Sequence, residues 1–255
     1  MDIVTSTSNK LIKSVGKLFS DKKYRDTTNL FVCQSEKIIS TLISLNFSLR
    51  NIIVCKNSKY FDKFKKYQNC VIVDSRVYNH ISHQENGDGL IAIFIKQKPS
   101  NKLDLTKSVF IFDHIQNPSN LGSILRTCAA FKINNIVLVN NCVDLYNYKV
   151  IQASMGYGLN INVYYETNLI NAINMLKKNQ YKVYATGINK NAEKVSKINF
   201  KHSAVLFGNE GNGLKQNQLN LCDKTIYIPI NERVDSLNLS NATAIIAYLV
   251  GNENN

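Results

Sequence analysis

From Val109 onward the chain alternates short apolar runs with longer amphipathic ones. Val109–Phe112, Ile136–Val139, Ile161–Tyr165, Lys182–Thr186, Ala204–Phe207 and Thr225–Ile230 read as strands. Asn120–Phe131, Tyr148–Gly156, Leu169–Lys177, Leu214–Leu221 and Ala242–Val250 read as helices. Short apolar strands, each followed by a longer helix, predict a mostly parallel sheet with helices on both faces. Ligands of such sheets gather beyond the carboxyl ends of the strands. The segments after Phe112, Phe207 and Ile230 are unusually polar or glycine-rich, so the chemistry is sought there.

Before Val109 the elements are smaller. Thr5–Phe19 has a helical period, with Leu11, Ile12, Val15, Leu18 and Phe19 apolar. Asn29–Cys33, Asn51–Cys55, Cys70–Val73 and Leu90–Ile95 are expected strands, Lys59–Lys66 a helix, and Gly87–Gly89 a turn. Ser35–Leu45 is expected to be a helix with Ile38, Ile39, Leu42 and Ile43 inside, and the Ser35 hydroxyl is placed to cap it. Lys96–Lys107, with Pro99 and Asn101, has too little apolar surface to fold alone. The expected organisation is an α/β domain over 1–97, a linker over 98–107 and a second α/β domain over 108–255.

Composition narrows the partner. The 255 residues are 44% hydrophobic, which excludes disorder as the state of the whole chain. Lys and Arg number 31 against 18 acidic residues, a formal net charge of +13. That favours a polyanion, nucleic acid ahead of an anionic membrane surface. An Asn- and Lys-rich coding bias inflates the same number, so charge alone does not choose. No segment is long and apolar enough to span a bilayer, and Met1–Phe19 lacks the apolar core of a secretory leader. Six cysteines without a Cys-x-x-Cys pair predict core thiols in a reducing, cytoplasmic setting. His80, His83, His114 and His202 lack zinc-ligand spacing, so no metal is expected.

Three strand-end segments carry the candidate chemistry. In the first, Asn120, Gly122 and Arg126 follow Asp113 on a strand–helix junction, with Pro118 near the helix start. Arg126 is a permanent cation whose rigid fork suits a phosphate or a hydroxyl; the alternative is an ordinary surface ion pair. In the second, Gly208, Gly211 and Gly213 have neither the dinucleotide spacing nor the Lys-Ser/Thr of a phosphate loop. Glu210 is either an acceptor toward a ligand or a solvated loop carboxylate. In the third, Pro229 ends a strand, and Ser236, Asn238 and Ser240 alternate with leucines before an apolar helix, where Asn238 or Ser240 would serve as its cap.

In their order these segments resemble the three motifs of the SpoU/TrmH family of RNA ribose 2′-O-methyltransferases, of the knotted SPOUT class. The first motif appears as Asn120, Gly122 and Arg126, the second as Gly208, Glu210, Gly213 and Leu214, and the third as Ile228, Pro229, Ser236, Leu237 and Asn238. Ala153–Gly156 matches a middle signature. More weakly, Ile3, Asn9 and Phe31–Glu36 resemble the start of the family's substrate-binding domain, with Gln34 and Ser35 in place of Glu and Gly.

The resemblance implies a C-terminal parallel sheet with a trefoil knot, preceded by a domain folded like ribosomal protein L30e that grips RNA. It implies methyl transfer from S-adenosylmethionine to a ribose 2′-oxygen, with Arg126, Glu210, Asn120, Ser236 and Asn238 catalytic and Glu210 positioning Arg126. Gly208, Asn209, Gly213, Ile228 and Leu237 are the implied cofactor contacts. It further implies RNA rather than DNA as partner, ribosomal RNA ahead of transfer RNA, no metal, and a homodimer with Ala242–Val250 as interface or core. Lys10, Lys13, Lys17, Lys22, Lys23 and Arg25, with Lys63, Lys65 and Lys66, are candidate phosphate contacts. A catalytically silent RNA-binding relative and a base-methylating relative are the alternatives.

Overall fold

The computed structural model describes residues 3–85, 87–97, 102–189 and 191–253. The chain divides into two compact units, 1–98 with 144–159, and 99–143 with 160–255. The expected linker around Pro99 and Asn101 lies outside the described residues. The helix read at Tyr148–Gly156 was expected in the second part; its contacts instead group it with the first. Periodicity marks a helix but not the surface that buries it.

The first unit is built on a five-stranded sheet, among the described residues, ordered β1 (Ile3–Val4), β4 (Cys70–Val73), β3 (Leu49–Cys55), β5 (Leu90–Ile95) and β2 (Leu30–Gln34). β1, β4 and β3 run parallel, and β5 is antiparallel to both neighbours. The helices are α1 (Lys10–Ser20), α2 (Lys22–Thr28), α3 (Glu36–Ser44), α4 (Phe61–Phe64), α5 (Ser75–Ile81) and the later α7 (Tyr148–Ala153). Asn9 caps α1, its Oδ1 accepting from the Leu11 N–H at 2.9 Å, and Ile12, Val15, Leu18 and Phe19 face the sheet.

Two expectations in this unit are corrected. Arg25 is not an RNA-facing cation: it is 2% exposed, and its guanidinium pairs with Asp144 at 2.7 Å. It also donates to the Leu18 carbonyl at 2.9 Å, closing α1, α2 and the 144–147 segment around one charge. Removing one partner of such a buried pair costs about 3–5 kcal/mol, because the other charge stays in low dielectric. Among the other candidate cations, Lys22 pairs with Asp26, Lys63 with Glu36 and Lys65 with Asp62; Lys10, Lys13 and Lys23 are exposed.

Ser35, in turn, does not cap α3 with its hydroxyl. Its backbone lies at φ 81°, ψ 132°, a region side chains rarely adopt and not the extended one from which a cap side chain reaches the first turn. Asp88, from the Gly87–Gly89 turn, accepts from the Glu36 N–H at 3.0 Å instead.

The second unit holds seven strands, among the described residues, all parallel. Their order is β10 (Glu193–Lys194), β12 (Lys224–Tyr227), β9 (Lys182–Thr186), β11 (Ser203–Phe207), β6 (Val109–Asp113), β7 (Asn135–Val139) and β8 (Asn162–Glu166). This is the predicted parallel α/β architecture. Its helices are α6 (Pro118–Ala130), α8 (Leu169–Lys178), α9 (Gln216–Leu219) and α10 (Leu239–Glu253). One face of the sheet packs Leu169, Ala172, Ile173 and Leu176 of α8 against Val109, Ile111, Val137, Val183, Ala204 and Leu206. Within the sheet Phe112 stacks on Phe207, with ring centroids 4.9 Å apart and planes 15° apart.

Helix boundaries moved where caps, not apolar periodicity, set them. Pro118 occupies the first turn of α6, where its missing N–H is harmless, and Asn117 caps it through the Ser119 N–H at 2.9 Å. α10 starts at Leu239 rather than Ala242 because Asn238 accepts from the Ser240 N–H at 2.8 Å. It packs tightly on the α6 end: a Cβ on Gly251 would lie 2.9 Å from the Phe131 carbonyl oxygen. Among the described residues no helix is long and apolar enough to cross a membrane. The six cysteines are free, and Cys33, Cys55, Cys70 and Cys128 are buried.

Ser35→Gly is expected to raise the stability of the chain by about 1 kcal/mol, since glycine relieves the positive-φ strain and loses part of the gain to a freer unfolded chain. Urea unfolding of the two proteins checks this; an unchanged or lower midpoint refutes it.

Candidate active site

Because every strand of the second sheet is parallel, the segments following β6, β11 and β12 share its carboxyl edge. β6 and β11 are neighbours in register, Phe112 opposite Phe207, so Asp113 and Gly208 emerge side by side. The 208–218 segment then lies along 113–120. Asn209 Nδ2 donates to the His114 carbonyl at 2.8 Å, and Asn120 Nδ2 donates to Glu210 Oε1 at 3.3 Å. Gln218 Nε2 donates to Asp113 Oδ2.

The loop is closed upon itself. Gly213 N–H donates to the Asn209 carbonyl at 3.0 Å, and Gly213 has φ +61°, which glycine adopts without strain. A Cβ on Gly208 would stand 2.5 Å from the Gly213 carbonyl carbon and 2.7 Å from the Leu214 nitrogen. Gly208 is therefore required first by the loop's own backbone, a reason sequence reasoning did not reach.

The third segment joins through Asn238. Its Oδ1 accepts from the Ser240 N–H at 2.8 Å and the Ser240 hydroxyl at 2.7 Å, which leaves its amide nitrogen facing outward. That nitrogen donates to Asn120 Oδ1 at 3.2 Å, which in turn fixes the Asn120 nitrogen toward Glu210. The helix cap thus sets the orientation of two amides in series. Glu210 receives two amide donors, the second from Asn209 Nδ2 at 3.4 Å, and its exposed carboxylate keeps lone pairs for another donor.

Of the sequence-predicted site residues, Asn120, Glu210 and Asn238 form one hydrogen-bonded line, and Gly208, Asn209 and Gly213 form the closed loop beside it. Ile228, Ser236 and Leu237 lie on the third segment at the same edge. The hydrogen bonds of Glu210 go to Asn120 and Asn209, and among the described residues Arg126 is exposed and forms no ion pair with it. Six residues beyond Asn120, it sits about 9 Å further along the α6 axis and on another face. The expected Glu210–Arg126 contact is not formed among the described residues of this chain. Sequence reasoning missed Asp113 and Gln218; the signal for Asp113 was a carboxylate closing an otherwise apolar strand.

Leu214, Ile228, Ile230 and Leu237, on the second and third segments, are half-buried. The Asn209 side chain is occupied by His114 and by the Gly211 N–H at 2.9 Å, and its carbonyl accepts from the Gly213 N–H at 3.0 Å.

Comparison with known proteins agrees with this geometry. Residues 107–248 match the SpoU rRNA Methylase family, and residues 9–92 match the MRM3-like substrate binding domain. A parallel α/β sheet with polar, glycine-rich loops at its carboxyl edge suits many ligand-binding classes, and the family match chooses among them: the chain belongs to the SpoU rRNA methylase family. The Bacillus subtilis (strain 168) 23S rRNA (guanosine(2553)-2′-O)-methyltransferase RlmP is 26% identical, over 97% of this chain and 98% of its own length. A crystal structure of an RNA 2′-O ribose methyltransferase superposes with a TM-score of 0.83 at 22% identity, covering 99% of both chains. The AdoMet-bound rRNA methyltransferase from Sinorhizobium meliloti superposes with a TM-score of 0.79 at 23% identity, covering 97% of this chain and 96% of that one.

Asn238→Asp is expected to keep the α10 cap but turn the Asn120 amide over, presenting its oxygen to Glu210. Thermal unfolding should shift little, while methyl transfer falls about tenfold or more through misorientation. Activity equal to the unsubstituted chain refutes the amide line.

Proposed function

We propose that this chain transfers the methyl group of S-adenosylmethionine to a ribose 2′-oxygen of ribosomal RNA. The observation that carries the reading is the line Asn238–Asn120–Glu210 at the carboxyl edge of a fully parallel sheet, in a chain of the SpoU family. The full-length similarity to RlmP supports ribosomal RNA over transfer RNA. The cofactor's place is the edge formed by Gly208, Asn209, Gly213, Ile228 and Leu237, where apolar side chains take the adenine and the loop backbone its polar rim. Bound there, S-adenosylmethionine supplies an electrophilic methyl carbon on a sulfonium.

The chain's own residues handle the other reactant. A ribose hydroxyl ionises far above neutral pH, so a group must polarise it as the new bond forms. Arg126 orients the hydroxyl and an adjacent phosphate through its fork of donors. Glu210, held by Asn120 and Asn209, accepts a hydrogen bond from the ribose side of the site, and Ser236 and Asn238 fix its geometry. The separation of Arg126 from Asn120 along α6 fits a homodimer in which part of each site comes from the other copy. Ile245 and Tyr248, exposed on α10, are candidates for that interface, whereas Ile246, Ala247 and Val250 are core. The first unit, with exposed Lys10, Lys13, Lys17 and Lys23 on α1 and α2, grips the RNA. A cytoplasmic location and a knotted C-terminal passage belong to the same reading.

The test is transfer of labelled methyl from S-adenosylmethionine to unmodified ribosomal and transfer RNA. Label in ribosomal RNA that blocks alkaline cleavage is expected; a product that leaves cleavage intact means base methylation, and label in transfer RNA alone overturns the substrate. Arg126→Ala is expected to lower turnover by about 100-fold or more while calorimetry finds cofactor affinity within twofold. Unchanged turnover removes Arg126 from the reaction.

A further inference from the structure

Asp113, the last residue of β6, is 6% exposed. A buried carboxylate is costly unless its oxygens are hydrogen-bonded. Here Asn140 Nδ2 donates to Oδ1 at 2.6 Å, and Gln218 Nε2 donates to Oδ2. Both donors are neutral side-chain amides, and both are fixed by their surroundings. Asn140 follows β7 in the left-handed region, at φ 56°. Gln218 is oriented from its other end, because its Oε1 accepts from the Lys215 N–H at 2.8 Å and so closes the start of α9.

Gln218 is separated from Asp113 by 105 positions and is the far end of the segment that begins at Gly208. That segment is anchored at its start by β11, which pairs with β6. Its middle is tied by Asn209 to the His114 carbonyl, and His114 adopts φ 54° in the same stretch. Its end is tied by Gln218 to Asp113. The tie at Asp113 is the one made by a buried charge, and hydrogen bonds to a charged acceptor are roughly twice as strong as neutral ones.

We propose that Asp113 and Gln218 form a latch that holds the 208–218 segment in its cofactor-binding shape before the cofactor arrives. Asp113 is a positioning residue and touches no reactant; it acts through Gln218 on the Gly208–Gly213 loop. An ordered loop spares the binding step the entropy of ordering it, so the latch is read in cofactor affinity. The inference rests on the assignment of that loop to the cofactor, given above.

The donor pattern permits a reciprocal test. In Asp113→Asn, one amide donor is left facing an NH2 group. In Gln218→Glu, two carboxylates face each other. In the double variant, the amide nitrogen introduced at position 113 would donate to the carboxylate introduced at position 218. The new amide oxygen would accept from Asn140, and the new carboxylate would keep the Lys215 N–H. Titration of the full-length chain with S-adenosylmethionine by calorimetry is expected to show each single variant weakened about tenfold and the double variant restored to within about threefold. In methyl-transfer assays the KM for the cofactor rises by more than kcat falls. Amide exchange at 209–215 accelerates in the single variants, while β6 and β7 stay protected.

Gly208→Ala separates the two ideas, since it breaks the loop without touching the latch. If Gly208→Ala abolishes cofactor binding while Asp113→Asn and Gln218→Glu bind normally, the latch is overturned and the loop assignment stands. Failure of the double variant to recover also overturns the latch. If Gly208→Ala binds cofactor normally, the loop assignment falls and the latch with it.

Discussion

Everything proposed for this chain depends on the register between β6 and β11. Phe112 lies opposite Phe207, and the stacked pair fixes that register beneath the carboxyl edge of the sheet. A slip by one residue would turn each strand's side chains to the other face. Asp113 would no longer stand beside Gly208, and the 208–218 segment would lose its course along 113–120. The site is thus a consequence of the apolar packing directly beneath it. Polar groups then complete what the rings begin, with ties from Asn209, Glu210 and Gln218 to His114, Asn120 and Asp113 on one strand–turn–helix segment.

The site's polarity is also organised from outside it. Asn238 looks like a helix cap and is one, but its cap bonds dictate which way its amide faces, and that choice passes through Asn120 to Glu210. One residue therefore serves helix termination and site orientation together. The cap bonds of Asn238 and its bond to Asn120 come from the two ends of one side-chain amide.

The first unit uses charge differently. Arg25 is spent inside, on Asp144 and two carbonyls of α1, while its sequence neighbours Lys22 and Lys23 remain outside. A run of basic residues is therefore not a surface until burial has been assigned. The strained Ser35 shows the converse: the chain keeps an unfavourable backbone at the start of α3, and a carboxylate from a distant turn supplies the cap that the serine cannot.

Sequence alone determined the parallel architecture of the second unit, because uniformly apolar strands alternating with amphipathic helices leave few other ways to bury both faces. It also pointed to the strand ends, where the polar and glycine-rich segments fall, and singled out Asn120, Glu210 and Asn238, which the structure joins by hydrogen bonds. Tertiary structure alone decided the rest. Helix starts shifted to Pro118 and Leu239 because caps are hydrogen bonds that apolar periodicity does not encode. The Tyr148–Ala153 helix changed units because an apolar stripe does not name its partner. Arg126 stands apart from Asn120 because six residues of helix carry it along and around the axis. Asp113 met Gln218 across 105 positions because a parallel sheet brings together strand ends that are remote in the chain, and only there does a buried carboxylate find its donors.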